Sequence, residues 1–248
     1  MSSSNGSTPV FLILGAGGGI GSRLAERLAA QGARLLLAGR TESPLAALAR
    51  KTGGTARTLD ARSFDEVESC VEQAIDEFGR LDGVVNCVGS ILLKPAHRTT
   101  REEFDDVIGT NLASAFALVR ASARRIEEGG SIVLVSTTAA QTGLANHEAI
   151  AAAKAGVVGL ARSAAATYAA RRVRVNCVAP GLVDTPLASR ITGNKASLDA
   201  SIQMHPLGRI GVPDDVASAV EWLLGSESGW VTGQVLSIDG GLAHVRPR

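Results

Sequence analysis

The stretch Val10-Phe-Leu-Ile-Leu-Gly15-Ala-Gly17-Gly18-Gly19-Ile20-Gly21 runs from a short apolar segment through clustered glycines into Ser22–Gln31, where apolar residues recur at helical spacing. Five consecutive apolar residues read as a strand covered on both faces, as in parallel sheets. Glycines directly after such a strand allow a tight turn and a close approach of backbone to a diphosphate. The helix that follows offers free N–H groups and a partial positive charge. Gly15, Gly17, Gly18, Gly19, Ile20 and Gly21 are therefore candidate phosphate-binding residues. A glycine cluster alone is a weak signal; between the first strand and first helix of an alternating series it is a strong one.

Working outward, that series is present. Apolar runs at Val10–Leu14, Arg34–Ala38, Thr55–Leu59, Leu81–Cys87, Ser131–Ser136, Arg172–Ala179 and Gln234–Ile238 alternate with amphipathic or Ala-rich segments. Helix starts are marked by Ser43-Pro44, by capping boxes at Ser63–Glu66 and Thr100–Glu103, and by Pro213-Asp214-Asp215. Strict alternation implies right-handed crossovers and a Rossmann-type α/β fold: a doubly wound parallel sheet of about seven strands with helices on both faces. Residues 9–248 read as one domain behind a polar tail over 1–8, which lacks the charged and apolar regions of a signal peptide. The segment around 185–206 has no strand, contains Pro186, Gly193 and Pro206, and reads as a substrate lid. The segment Ala149–Ala170 is small and apolar on nearly every face. One side is expected against the sheet and the other against a partner subunit, although alanine propensity alone also accounts for such a helix.

Composition narrows the function classes. Charge is almost balanced, 25 Lys+Arg against 24 Asp+Glu, which argues against a nucleic-acid binder or a polybasic membrane surface. No apolar run approaches the roughly 20 residues of a membrane span. Cys70, Cys87 and Cys177 are too scattered for a disulfide framework and form no CxxC pair, so a cytoplasmic, reducing location and no metal site are expected. Cys87 reads as a small hydrophobe rather than a nucleophile. His97, His205 and His244 have no metal-ligand spacing and read as surface or loop residues; for His205, in the lid, contact with substrate is the alternative. Trp222 and Trp230 read as core and interface anchors.

NAD sites carry an acid about 20 residues beyond the glycine loop. Here that place holds Gly39 and Arg40. With no carboxylate to repel a 2′-phosphate and a guanidinium able to pair with one, NADP(H) is expected over NAD(H). The plainer reading of Arg40 is a solvated charge after a strand.

These residues resemble the short-chain dehydrogenase/reductase family along essentially the whole chain. Gly15–Gly21 is similar to its TGxxxGIG loop, with Leu14 for the threonine. Asp60, with Ala61 beside it, matches the adenine-contacting acid. Asn86-Cys-Val-Gly89 resembles NNAG with two substitutions, and Asn111 falls on the asparagine that holds a water near the family's lysine. Arg174–Pro186 is similar to RVNxVxPGxxxT, which places Pro180, Gly181, Val183 and Thr185 at the nicotinamide and diphosphate. The endings Pro206–Arg209, Trp230–Gln234 and Asp239-Gly240-Gly241 follow the same pattern. The resemblance implies a cofactor-dependent oxidoreductase acting on a small molecule, forming a homotetramer or homodimer, with no membrane or nucleic-acid partner.

The family's chemistry uses a serine and a Tyr-x-x-x-Lys pair. Lys154 matches the lysine; it would also hold the cofactor's ribose. Four residues earlier stands Ile150, and thirteen before that Thr137 takes the serine's place, flanked by Ser136 and Thr138. The chain's one tyrosine, Tyr168, is fourteen residues past Lys154, about 21 Å along a helix, too far to act at the same atom. General acid–base catalysis is typically worth about 10²–10⁴-fold, whereas positioning reactants contributes on the order of 7–11 kcal/mol. Three readings follow. His147, one turn before Ile150, replaces the proton donor (Glu148 and Lys154 are the other candidates, and a solvated loop histidine is the plain alternative). Or the substrate is an imine reduced as its iminium ion, to which hydride adds to give a neutral amine directly with no proton donor. Or the chain is a cofactor-binding or regulatory subunit without turnover. The catalytic candidates are Asn111, Thr137, His147 and Lys154.

Overall fold

The computed structural model describes residues 8–126 and 129–246, so most of the polar tail lies outside the described residues. In chain order the elements are β1 (Val10–Leu14), α1 (Gly19–Ala30), β2 (Arg34–Gly39), α2 (Glu42–Thr52), β3 (Thr55–Thr58), α3 (Phe64–Phe78) and β4 (Gly83–Asn86). There follow α4 (Arg101–Ile108), α5 (Ser114–Arg125), β5 (Gly130–Val135), α6 (Glu148–Tyr168) and β6 (Val173–Pro180). The chain closes with α7 (Ser189–Thr192), α8 (Lys195–Met204), α9 (Pro213–Leu224) and β7 (Val235–Ile238). The seven strands form one parallel sheet in the order β3-β2-β1-β4-β5-β6-β7.

Alternation of side chains along each strand divides the core into two layers. Leu12, Leu36, Val84, Ile132 and Val175 face α3, α5 and α6, which contribute Val71, Leu118 and Val157. Phe11, Leu35, Val85, Val133 and Val178 face the other way, onto Leu24 and Leu28 of α1, Leu45 of α2 and Val220 of α9. Both faces are covered, which is why the strands read as continuous apolar runs. Strand order reverses between β1 and β4, and in such sheets the crevice beyond the carboxyl ends at that point is the binding position.

Helix starts follow their local chemistry with two corrections. Thr100 and Glu103 form a complete capping box at α4. Ser63 Oγ accepts from Glu66 N, but the Glu66 carboxylate turns away to accept from the Asp60 amide. The second helix begins at Glu42 after Thr41, so Ser43 is inside it and not its cap; Pro44 remains in the first turn, where its missing N–H costs nothing. The segment around 185–206, expected to be a strandless lid, contains two short helices, α7 and α8, the latter capped by Asn194 Oδ1 accepting from Ser197 N.

Among the described residues one helix, Glu148–Arg171, is long and apolar enough to cross a membrane. It reaches that threshold through alanine and glycine; it packs against β6 and carries buried Lys154. Its outward residues Ala152, Ala155, Gly159 and Ala166 are exposed. Neither tryptophan is in the core: α9 buries Val216, Val220 and Leu223, which turns Trp222 outward, and Trp230 is fully exposed in the loop before β7.

Candidate active site

A cleft of about 360 Å³ opens at the reversal point between β1 and β4. Gly15, Gly17, Gly18, Gly19, Ile20 and Gly21 form its floor, Arg40, Asp60 and Ala61 its far end, and Gly89 and Thr185 its near end. Glycine is required at particular points of this floor. Gly15 has φ +84°, and a Cβ there would lie 2.8 Å from the Cys87 backbone. A Cβ on Gly21 would come within 2.4 Å of the Gly15 carbonyl oxygen, and one on Gly19 within 2.7 Å of Thr185 Cγ2. Gly18, the N-cap of α1, has no side chain to cap the helix, so the first-turn amides face the cleft uncapped. A backbone cradle at a helix N-terminus fits an anionic diphosphate.

At the far end Arg40 is exposed and forms no ion pair with another described residue. Thr41 lines the cleft and its side chain does not cap α2. Asp60 accepts from the Arg62 amide at 2.9 Å. Arg62, Thr110 and Leu187 also line the cleft, and the sequence reading did not single them out. Arg62 arrives because its guanidinium pairs with Asp106 at 2.8 Å beside Gly109, a contact made across 44 residues that no local pattern carries.

Five candidate cofactor residues are not in the cleft wall: Asn86, Lys154, Pro180, Gly181 and Val183. Asn86 is turned inward. Its Nδ2 donates to Ser114 Oγ at 3.1 Å and its Oδ1 accepts from Val88 N at 2.9 Å, bracing β4 to α5. Val183 pairs with Gly211, while the Pro180 carbonyl lies 3.5 Å from Thr137 Oγ1. The Arg174 guanidinium reaches the carbonyls of Leu223 and Gly225 and the Ser228 hydroxyl, so the first residue of the RVN motif ties off the C-terminus of α9.

Gly89 connects the cleft to the second group of candidates. A Cβ on Gly89 would sit 3.1 Å from Asn111 Oδ1 and 3.5 Å from Lys154 Nζ. Asn111 lies in a π-helical turn, Gly109–Ala113, between α4 and α5. Its side chain is fully engaged: Oδ1 accepts from Ser90 N, and Nδ2 donates to Ser90 Oγ and to the Val107 carbonyl. Lys154, 6% exposed, donates to the Val135 carbonyl at 2.8 Å. Burial pushes its ammonium down from 10.5 to about 8. The same burial pushes the Cys87 thiol up to about 12, so it stays protonated.

The hydroxyls after β5 separate clearly. Ser136 Oγ donates to the Lys154 carbonyl at 2.9 Å, and Thr138 Oγ1 donates to Asp239 at 2.9 Å; both are buried. Thr137 is half-buried, and its hydroxyl has long contacts only, 3.3 Å from Ala139 N and 3.5 Å from the Pro180 carbonyl. Of the three it is the one able to exchange its partners for a ligand. Ile150 is 5% exposed in an apolar cluster with Val107, Ala149 and Ala153, packed by Leu92, Ile108 and Leu112. Tyr168 sits at the far end of α6 against the main core. His147 is the N-cap of α6, with Nδ1 2.8 Å from the Ala145 carbonyl. His205 is not presented to a ligand: it is 3% exposed, its Nδ1 donates to the Ser201 carbonyl, and its Nε2 accepts from Leu182 N.

Residues 15–243 match the family profile described as enoyl-(acyl carrier protein) reductase. The 3-oxoacyl-(acyl-carrier-protein) reductase FabG of Vibrio cholerae is 35% identical over 240 residues, covering 95% of this chain and 98% of that protein. The chain belongs to the short-chain dehydrogenase/reductase family. The short-chain reductase protein NovJ of Streptomyces niveus is 36% identical over 94% of this chain and 93% of its own. Among solved structures, an actinorhodin polyketide ketoreductase with NADPH superposes with a TM-score of 0.91 at 29% identity, over 96% of this chain and 98% of that one. Levodione reductase gives 0.90 at 31% identity with the same coverage. The seven-stranded Rossmann-type sheet is thus that of the short-chain dehydrogenase/reductase family.

Proposed function

We propose that this short-chain dehydrogenase/reductase is an NADP(H)-dependent oxidoreductase that reduces a small carbonyl or imine without the family's tyrosine. The observation that carries this reading is the position of Gly89, which lines the glycine-floored cleft and lies against both Asn111 and Lys154. A dinucleotide seated on the floor is thereby led to the buried ammonium. Arg40, with Thr41 beside it, would bind a 2′-phosphate, and Asp60 and Ala61 the adenine. The α1 amides and Thr185 would hold the diphosphate, with Pro180, Gly181 and Val183 beyond them. When bound, the nicotinamide supplies the hydride.

The chain's own residues do the rest. Lys154 holds ribose hydroxyls, the Asn111 turn keeps a water near it, and Thr137 orients the reacting carbonyl or imine. Ile150 and its apolar neighbours keep bulk water from the acceptor, which strengthens each of these polar contacts. For a carbonyl, His147 supplies the proton: Nδ1 is engaged at Ala145 and Nε2 has no partner among the described residues. For an iminium substrate, hydride addition gives a neutral amine directly and no donor is needed. The relatives named for 3-oxoacyl groups on a carrier place β-keto thioesters among the acceptors to try.

The outward small residues of α6 suit close helix packing between copies in a homotetramer or homodimer. The three free cysteines accord with a cytoplasmic location. The test follows NADPH absorbance against ketones, β-keto thioesters and cyclic imines. Ketone turnover abolished by His147→Ala supports the carbonyl route, and turnover of imines alone selects the imine route. Tight NADPH binding with no oxidation by any acceptor replaces the proposal with a non-catalytic cofactor-binding subunit.

A further inference from the structure

We infer that Asp239 is a positioning residue for the substrate-orienting hydroxyl of Thr137, acting through Thr138 and the C-terminal turn; this deepens the proposed function and rests on it. Asp239 stands just past β7, 8% exposed. Its two carboxylate oxygens accept three donors. Oδ1 takes Gly241 N at 2.9 Å; Oδ2 takes Ala243 N and Thr138 Oγ1, each at 2.9 Å. The last of these spans 101 residues and fixes the residue next to Thr137. The same C-terminal segment holds the loop a second time: the Gln141 side-chain oxygen accepts from Ser237 Oγ at 2.8 Å and lies 3.2 Å from His244 Nε2.

The turn also reaches the other wall of the substrate side. Leu207 N, just past the lid helix α8, donates to the Gly240 carbonyl at 3.1 Å, and Gly181 N at the end of β6 donates to the Ile238 carbonyl at 3.2 Å. Its backbone takes a conformation that glycine favours. Gly240 and Gly241 have φ +59° and +93°, and a Cβ on Gly241 would lie 3.1–3.2 Å from Val245 and Pro206. A carboxylate is needed at its centre because an amide offers one acceptor oxygen where two serve three donors. The Thr137 hydroxyl, which has only long hydrogen bonds, takes its position from this anchored neighbour.

The test uses the full chain with Asp239→Asn, Thr138→Val and Thr138→Ser. With an acceptor from the panel above, Asp239→Asn and Thr138→Val are expected to lower kcat about tenfold while leaving the NADPH dissociation constant within about twofold. Thr138→Ser keeps the hydroxyl and is expected to keep the wild-type kcat, a rescue that a general loss of stability would not produce. Unchanged kcat in both Asp239→Asn and Thr138→Val overturns the proposal. If the wild-type protein turns over nothing, the proposed function fails on that result alone. Hydrogen exchange then decides the positioning claim: the amides of Ala139–Thr142 should exchange about tenfold faster in Asp239→Asn, with β1 and β4 unchanged. Equal exchange over that loop overturns it.

Discussion

The ammonium of Lys154 lies 2.8 Å from the carbonyl oxygen of Val135, inside the protein and one helical turn past Ile150. One carbonyl does not replace the hydration of a cation, so burial favours the neutral amine and brings the group down to about 8. Between about pH 8 and 10.5 the unfolded chain therefore binds more protons at this site than the folded one. Stability from this group is complete above about 10.5 and is lost as pH falls through about 8. The change is on the order of 3 kcal/mol. Lys154→Met should remove it, so the variant's stability advantage over wild type shrinks as pH rises across that window. Urea midpoints of both proteins from about pH 7 to about 10.5 check this; a pH-independent difference would contradict the buried amine.

Among the described residues Arg40 has no carboxylate partner, so its guanidinium is available to a dianion in the cleft. A charge-assisted bond to phosphate is worth about 1.5–3 kcal/mol. Arg40→Ala should weaken NADPH binding about 10- to 100-fold and leave NADH binding within about twofold, as read by calorimetry with the two dinucleotides. Equal losses for both would show that Arg40 does not recognise the 2′-phosphate.

Much of this was legible along the chain because it is local. The runs at Val10–Leu14 and Arg34–Ala38 are apolar at every position or nearly so, and burial on both faces gives them no other solution. The glycine loop is readable because backbone crowding at Gly15 and Gly21 tolerates no other residue. Residues whose partners are brought by the fold were not legible. His205 reads in the sequence as a surface or loop residue, yet it is buried, and Leu182 N and the Ser201 carbonyl claim both ring nitrogens. Asn86 looked like a cofactor ligand, yet Ser114 and Val88 take its amide. The helices α7 and α8 are not legible in the sequence because neither carries a strong apolar period; α8 buries Ser201 and otherwise runs along the surface.

The contact between Gly19 and Thr185 gives a test of the diphosphate site by double substitution. A Cβ on Gly19 would come within 2.7 Å of Thr185 Cγ2, a methyl that serine lacks. Gly19→Ala should displace Thr185 and weaken NADPH binding about tenfold, roughly the worth of one misplaced charge-assisted bond. Adding Thr185→Ser removes the clashing methyl and keeps the hydroxyl, leaving the Thr185 Cβ contact at 3.0 Å, so the double variant should recover part of that loss. Additive losses in calorimetric titration would mean that the two residues do not share one binding geometry.

Ile150 decides how much of the family's ordinary chemistry is latent in this site. It sits four residues before Lys154 on the continuous helix α6, so a phenol at this position would lie one turn from the ammonium. That charge favours phenolate and would bring the tyrosine into a useful range for proton transfer. The obstacle is packing: Ile150 is enclosed by Val107, Ala149 and Ala153, with Leu92 and Leu112 against them. A larger ring there costs about 1–3 kcal/mol of stability if it must be accommodated inside. Ile150→Tyr is therefore expected to fold with a lowered Tm and to raise ketone turnover by about 10²-fold or more, the usual worth of a positioned acid. Ile150→Tyr/Leu92→Ala makes room for the ring and should restore part of the lost Tm while keeping the gain. Ketone rates unchanged in both variants, with NADPH binding intact, would show that the pocket beyond Thr137 and Lys154 is not shaped for a carbonyl and would leave the imine as the remaining acceptor.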